Sequence, residues 1–222
     1  VYVRVHSDDT TPPLLSGLTI TSSTASPVLI WASAVGGLGA GNAFADNGVE
    51  VDEVRTDPIR FDQTWLRQPI PYRLVNEGTL GIDGPLTPTL TLSPGSVFEM
   101  DAELLISVAK GRLIAEGTEA EPITFEPATP GQPWDKIYLN GSGTVVPTTS
   151  LRHVILAGGG GLTPAAEDAV LHLYAPNGTE AYGPVFDHVT ILDSTATGLL
   201  VRVTESGATP MVATNLTVTG SD

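Results

Sequence analysis

Short apolar–polar–apolar triplets recur along the 222-residue chain at intervals close to 31 residues. This alternation has the period of two that is typical of a strand with one face turned inward. The intervals are too long for hairpins, so we expect each triplet to pair with the equivalent triplet one repeat away. The first series comprises residues 18–20, 49–51, 90–92, 123–125, 154–156, 189–191 and 216–218. The second series comprises residues 106–108, 137–139, 171–173 and 201–203.

Two series that advance together predict a solenoid in which each coil contributes two or three short strands. A sandwich has no long-range repeat, and a propeller repeats every ~40 to 50 residues with four strands per blade. Helices are disfavoured because 24 Gly and 18 Pro resist helix interiors. We therefore predict an all-β parallel β-helix of about six or seven coils, with the outer triplet residues from Ile106 to Val203 in its core.

Two segments depart from the repeat. Residues 1–6 alternate as a strand and lead into an Asp-Asp pair and a Pro-Pro pair, which predicts a strand and a stiff linker over residues 1–13. The β-helix domain is predicted over residues 14–222. Residues 56–71 are irregular and lengthen one interval to 41 residues, so we expect a loop near 56–71 that protrudes from the stack.

A series of sequence blocks resembles a known family when the blocks are taken in order. They are GNAFADNG (41–48), TW (64–65), PY (71–72), LTLSPGSV (90–97), GRLIAEGT (111–118), PITF (122–125), PWDKI (133–137) and LRHV (151–154). The stretch resembles the right-handed parallel β-helix repeat region of bacterial secreted and surface proteins, in the broad pectin-lyase-like class. The resemblance implies a right-handed β-helix and an extracellular or cell-surface location. It implies no particular activity, because one fold hosts many functions.

The charge balance excludes some partners. Acidic side chains outnumber basic ones 25 to 10, and the net charge is −15. Such a field repels phosphate backbones and anionic lipid headgroups, so we expect no nucleic-acid partner. No apolar run approaches the roughly 20 residues that span a bilayer, so we expect no membrane insertion. The absence of Cys excludes thiolate nucleophiles and Cys-ligated metal sites.

Three carboxylates stand close in sequence to arginines, as the calcium cluster and base of polysaccharide lyases would require. They are Asp52, Glu53 and Asp57, with Arg55 and Arg60 nearby. A solvated acidic turn explains the same pattern in so acidic a chain. The interpretation as a turn is favoured.

Two further pairs could serve a glycoside hydrolase, which needs two carboxylates on one face. They are Asp135 with Lys136 and Asp187 with His188. The catalytic signatures of the resembled class, Asn-Thr-Asp, Gly-His-Gly and Arg-Ile-Lys, are missing from the sequence. We therefore predict no catalytic residues and no cofactor, and we leave enzymatic activity open with a non-catalytic role favoured.

The histidines, tryptophans and asparagines are residue types that can bind metals or sugars or bond neighbouring coils. No pair of histidines has the i, i+2 spacing of a ligand set, so we predict structural roles and no metal site. The tryptophans could stack on sugar rings, although packing is favoured. The asparagines resemble side-chain ladders between coils. These residues are His6, His153, His172, His188; Trp31, Trp65, Trp134; Asn42, Asn47 and Asn215.

The favoured function is a non-catalytic extracellular structural or adhesive module. A β-helix cannot leave its end coils bare, so we expect subunits to associate end to end in a surface filament. The N-terminal strand would pair with a neighbouring subunit, or alternatively fold back on its own first coil. The alternative function is a carbohydrate-active enzyme or a sugar-binding module with a polysaccharide partner. The predicted assembly residues are Val1, Tyr2, Val3, Arg4, Val5 and His6.

Overall fold

A computed structural model describes residues 1–3, 11–75, 77–141, 149–162, 168–175, 183–203 and 212–220. The chain is nearly all-β, with 3% helix, and its parallel strands stack as a β-solenoid of about six turns. The predicted fold class is therefore confirmed. A 3₁₀ segment covers Ala32–Gly37.

The described strands, in chain order, are β1 (Tyr2–Val3), β2 (Thr19–Thr21), β3 (Leu29–Trp31), β4 (Ala43–Ala45), β5 (Asp52–Arg55), β6 (Gln63–Trp65), β7 (Tyr72–Val75), β8 (Leu80–Ile82), β9 (Thr89–Leu92), β10 (Val97–Met100), β11 (Leu105–Val108), β12 (Arg112–Glu116), β13 (Ile123–Pro127), β14 (Lys136–Asn140), β15 (Ser150–Ala157), β16 (Ala169–Ala175), β17 (Val185–Leu192), β18 (Thr197–Val203), β19 (Val212–Thr214) and β20 (Thr217–Thr219).

The strands stack in three faces. Face A contains β1, β3, β5, β7, β10, β13, the C-terminal halves of β15 and β17, and β20. Face B contains β6, β9, β12, the N-terminal halves of β15 and β17, and β19. Face C contains β8, β11, β14, β16 and β18, and β2 pairs with β4 in a small separate sheet. Faces A and B form one 13-stranded sheet because β15 and β17 continue through the corner between them.

Residues with left-handed backbone conformation turn the chain at the corner between faces A and B. His153, His188 and Asn215 have φ values of 46°, 53° and 52° and follow one another on successive coils. This conformation is uncommon outside glycine, and Asn and His are among the residues that tolerate it best. The corner therefore carries a column of three polar side chains, which we call the AB corner.

The core confirms most of the predicted inward residues. Twelve of them are buried: Ile106, Val108, Ile123, Phe125, Ile137, Leu139, Val154, Leu156, Leu171, Leu173, Val189 and Ile191. The other two, Val201 and Val203, are 41% and 52% exposed, so the prediction of burial is wrong for them. Both lie in β18, the outermost described strand of face C, which pairs only with β16.

The repeat is less regular than the triplets suggest. Counted on face A, one coil runs from Ile30 to Val54 (24 residues), Val54 to Leu74 (20), Leu74 to Met100 (26), Phe98 to Phe125 (27), Ile123 to Val154 (31), Val154 to Val189 (35) and Thr190 to Thr217 (27). The triplet 90–92 belongs to face B, whereas 123–125 belongs to face A. On face C, the second series predicts that triplet 171–173 aligns with triplet 201–203. In the structure Leu173 pairs with Val201, so this alignment is shifted by two residues.

The predicted protruding loop at 56–71 is wrong. Ile59 forms a parallel bridge with Ile82, and β6 pairs with β9 inside the sheet. Ile59 and Trp65 are buried. The 41-residue interval looked like a coil with an insertion, but it holds more than one complete coil of short strands.

Aromatic rings fill the middle of the core. Phe98 stacks between Tyr72, at a centroid distance of 5.5 Å, and Phe125, at 5.0 Å. From face B, the Trp65 ring lies 6.0 Å from that of Tyr72 and 6.1 Å from that of Phe98. Because these inward side chains come from successive coils, the core is one continuous column that ties the coils together.

Candidate functional site

The first predicted carboxylate group does not form a site. Asp52 points inward and is fully buried, and neither of its carboxylate oxygens has a hydrogen-bond partner. Glu53 accepts a 2.7 Å hydrogen bond from the Ser26 hydroxyl. Asp57 accepts hydrogen bonds from the backbone N–H and the hydroxyl of Ser33, at 2.8 and 2.6 Å. The three side chains thus have separate surroundings and do not converge on one substrate position.

The two arginines of that group also lie in separate surroundings. Arg55 pairs with Glu77 at 3.6 Å and lies over the ring of Trp31 at 5.9 Å. Arg60 lines a shallow groove beside Lys110. The lyase-like combination of a carboxylate cluster and a free base is therefore not assembled among these residues.

Asp135 and Lys136 belong to a charged cluster at the start of β14, an inner strand of face C. The Lys136 ammonium bonds the carboxylate of Asp168 and lies 3.4 Å from that of Asp135. Glu103 accepts a 2.5 Å hydrogen bond from the Leu162 N–H nearby. Burial raises the pKa of Asp135, and Lys136 opposes that rise. The cluster joins β14 to the start of β16 and fastens two neighbouring coils.

Replacing the lysine of this cluster should destabilise the fold. We expect Lys136→Met to lower the free energy of unfolding by about 1 to 3 kcal/mol, because two largely buried carboxylates lose their cation. Lys110→Met is a matched control, since Lys110 is the other lysine of the chain and is exposed. Urea unfolding measures both, and equal small effects would show that the cluster contributes nothing.

Asp187 and His188 lie at the AB corner. The Asp187 carboxylate accepts hydrogen bonds from Thr214 (2.8 Å) and Asn215 (3.1 Å), and His188 Nδ1 is 2.9 Å from the same oxygen. The hydrogen bonds from Thr214 and Asn215 are the main reason that the pKa of Asp187 lies below its usual range. Arg152 is 3.8 Å from Asp187.

The two histidines of the AB corner stack on each other. The rings of His153 and His188 are 4.5 Å apart between centroids and 18° from parallel. They line an open groove of about 450 Å³, which is also lined by Asn215 and Glu119.

Sequence reasoning missed this juxtaposition because it compared the histidines with an i, i+2 pattern. The relevant signal is the coil interval. His153, His188 and Asn215 each stand directly before a triplet of the first series, so their spacings of 35 and 27 residues equal those of the triplets. His172 lies on face C, where its ring meets the edge of Tyr138 at 5.0 Å. His6 lies outside the described residues.

The remaining predicted residues are structural in this fold. Trp65 and Trp134 are buried, and the Trp134 indole donates a 2.7 Å hydrogen bond to the Ala157 carbonyl. Asn42 accepts a 2.9 Å hydrogen bond from the Leu18 N–H on the preceding coil, and Asn47 accepts one of 3.0 Å from Ser23. The predicted amide bonding between coils is therefore present for both asparagines.

Apolar side chains are exposed mainly at the two ends of the stack. Of nine large hydrophobic residues that are exposed among those described, seven lie on the end coils. At the N-terminal end they are Val1, Tyr2 and Leu14; at the C-terminal end they are Val201, Val203, Val212 and Val218. Leu86 and Leu162 lie on the sides of the stack.

The described part of the N-terminal strand pairs within its own chain. Tyr2 and Val3 pair in parallel with Leu29 and Ile30, and the Trp31 indole donates a 3.0 Å hydrogen bond to the Tyr2 hydroxyl. Residues 2 and 3 therefore fold back on the first coil of their own chain. The predicted assembly residues Arg4, Val5 and His6 lie outside the described residues.

No helix in the described ranges is long and apolar enough to cross a membrane. Those same ranges hold no group of three or more His, Cys, Asp or Glu side chains placed to bind a metal ion. Comparisons of the chain with protein-family models, with curated proteins and with solved structures gave no match.

Proposed function

We propose that this chain is a non-catalytic structural or adhesive β-solenoid module whose copies associate end to end. The observation that carries the proposal is the concentration of exposed apolar side chains on the end coils. Exposed apolar surface at unpaired strand edges favours association with further strands.

The sides of the stack present a different surface. Several of their charged groups form contacts between coils, such as Arg67 with Glu121 at 2.8 Å and Arg73 with Asp101 at 3.3 Å. Arg152 similarly lies between Glu116 and Asp187. These side chains stabilise neighbouring coils, which supports a scaffold role over a catalytic one.

The register of face A suggests how two copies would meet. Tyr2 pairs with Leu29 at one end, and Leu192 pairs with Thr219 at the other. Both pairs lie in one row of outward-facing residues that crosses the strands of face A. The same row includes Glu53, Arg73 and Glu99. A head-to-tail stack would place β20 of one copy beside β1 of the next with strands parallel. Such a heterologous contact does not close and produces filaments.

The net charge predicts how this association depends on salt. Each copy carries a net charge of −15, so copies repel one another. Salt screens this repulsion and leaves the apolar contact in place. Association through the ends should therefore strengthen as salt is added, whereas association through ion pairs would weaken.

We also propose a family and a location for the chain. We place the chain among the pectin-lyase-like β-helix proteins of bacteria, with an extracellular or cell-surface location, on the strength of the sequence resemblance and the parallel solenoid. A carbohydrate-active role remains the competing function. Release of reducing or unsaturated ends from a polysaccharide, lost on mutation of Asp135 or Asp187, would favour that role over ours.

Light scattering tests the proposed association. We expect the mass of the wild-type chain to rise above 23.1 kDa with concentration and with added salt. Val218→Lys, on β20, should weaken association by at least about tenfold, because an ammonium would be buried unpaired at the contact. Leu86→Lys is the matched control on the side of the stack and should have no effect. A constant mass of 23.1 kDa, or equal effects of the two variants, would overturn the proposal.

A further inference from the structure

The geometry of the AB corner points to a metal site: we propose that His153 and His188 together bind one divalent transition-metal ion of the Cu²⁺, Ni²⁺ and Zn²⁺ class. Their rings are parallel within 18° and 4.5 Å apart. Nitrogens that each lie about 2.0 to 2.1 Å from one ion are about 3 to 3.5 Å apart, and the ion lies close to the plane of each ring. The His153 ring therefore has to turn about its Cβ–Cγ bond, out of the stack, while His188 keeps its contact with Asp187. This proposal is independent of the proposed assembly.

The surroundings of His188 are those of a metal ligand. Its Nδ1 is 2.9 Å from Asp187 Oδ1, and Thr214 and Asn215 donate to the same carboxylate oxygen. A carboxylate that accepts the Nδ1–H of histidine fixes the ring and leaves the lone pair on Nε2 for a metal. Asp187 is thus a positioning residue for His188.

The groove leaves room for the rest of the coordination shell. It has a volume of about 450 Å³ and is open to solvent, and Glu119 is among the residues that line it. Water can occupy the remaining coordination positions. The net charge of −15 raises the local concentration of cations.

The ligand type selects the class of metal. Imidazole nitrogen suits copper, nickel and zinc, and Cu²⁺ is the tightest binder in the general order of affinities. Calcium and magnesium prefer oxygen ligands. With two protein ligands, the site should bind Cu²⁺ best and discriminate strongly against Mg²⁺.

Asn215 supplies a matched variant for each histidine. It occupies the next coil of the same corner with nearly the same φ, 52° against 46° for His153 and 53° for His188. Asparagine therefore fits the backbone of this corner, and His153→Asn and His188→Asn should keep the fold while removing the imidazoles.

Calorimetric titration of the full chain with Cu²⁺ tests the proposal, with excess Mg²⁺ present to occupy weak acidic sites. We expect one ion per chain. His153→Asn or His188→Asn should weaken binding at least about tenfold, and Asp187→Asn should weaken it about 10- to 100-fold. His172→Asn and His6→Asn are the controls and should bind as the wild type does. Thermal unfolding of each variant checks that the fold is kept.

Electron paramagnetic resonance of the Cu²⁺ complex gives a second measurement. We expect hyperfine coupling to two imidazole nitrogens in the wild type and to at most one in either corner variant. Absence of Cu²⁺ binding by the wild type overturns the proposal. So does a double variant, His153→Asn with His188→Asn, that binds as tightly as the wild type.

Discussion

Truncating the central ring of the aromatic column should cost more stability than any surface change. We expect Phe98→Ala to lower the free energy of unfolding by about 3 to 5 kcal/mol, through lost burial and the cavity that it leaves. Phe98 is fully buried, and its ring stacks on those of Tyr72 and Phe125. The neighbouring core has only about 10 Å³ of free space, so its packing is already tight.

Urea unfolding followed by tryptophan fluorescence measures this effect, because Trp65 lies beside Phe98. Phe61→Ala is the matched control, since Phe61 is only partly buried against the same core. It should cost about 1 kcal/mol, in line with the smaller apolar area that it buries. A loss below about 1 kcal/mol for Phe98→Ala would contradict the continuous core column.

Removing the buried carboxyl of Asp52 should stabilise the protein at neutral pH. Asp52 is fully buried without a hydrogen-bond partner, and burial raises its pKa from 3.8 to about 7. The Val1 ammonium opposes this rise. Burial also raises the pKa of the Tyr72 hydroxyl, and Asp52 adds to that rise. We expect Asp52→Val to be about 3 to 5 kcal/mol more stable than the wild type at pH 8.

The sign of the pH dependence follows from proton binding. Between pH 3.8 and about 7 the folded state keeps the Asp52 proton, whereas the unfolded state has released it. The contribution of Asp52 to stability therefore falls as pH rises through this window, by about 4 kcal/mol in total, and is constant above it.

Unfolding free energies measured from pH 4 to pH 8 isolate this group. The difference between wild type and Asp52→Asn should change by about 4 kcal/mol across the window, since the amide keeps the size of the side chain without the ionisation. Burying the amide of Asp52→Asn has a cost that does not change with pH. That cost cancels when the pH dependence of the unfolding free energy is compared between the two proteins. Parallel profiles for the two proteins would show that the Asp52 carboxyl is not buried in solution.

The solenoid itself was predictable because face C repeats regularly. Ile106 pairs with Ile137, and Ile137 pairs with Leu171, which keeps the intervals close to the apparent 31-residue repeat. The early coils of face A were missed because they are shorter. In β7 and β10 the buried residues flank Arg73 and Glu99, and a charged middle residue obscures the apolar pattern.

Two features of the site depend on register, which sequence pattern alone does not fix. Asp52 is inward because it pairs with buried Tyr72, whereas a charged residue is normally expected to point outward. His153 and His188 meet because the coil between them is 35 residues long. Once the register is known, the ring stack follows from the shared corner position.

Disulfide formation between copies tests the proposed end-to-end association most directly. The sequence contains no Cys, so only the introduced cysteines can pair. In the proposed head-to-tail stack, Tyr2 of one copy and Thr219 of the next are cross-strand partners on neighbouring strands. Strands lie about 4.8 Å apart, within the Cα separation that a disulfide spans.

We expect a mixture of the Tyr2→Cys and Thr219→Cys variants, oxidised at high salt, to form mainly the mixed disulfide. Leu86→Cys, on the side of the stack, should cross-link with neither. Mixed dimers in excess over both homodimers would support head-to-tail assembly through the ends. Homodimers alone, or cross-linking no greater than that of Leu86→Cys, would contradict it.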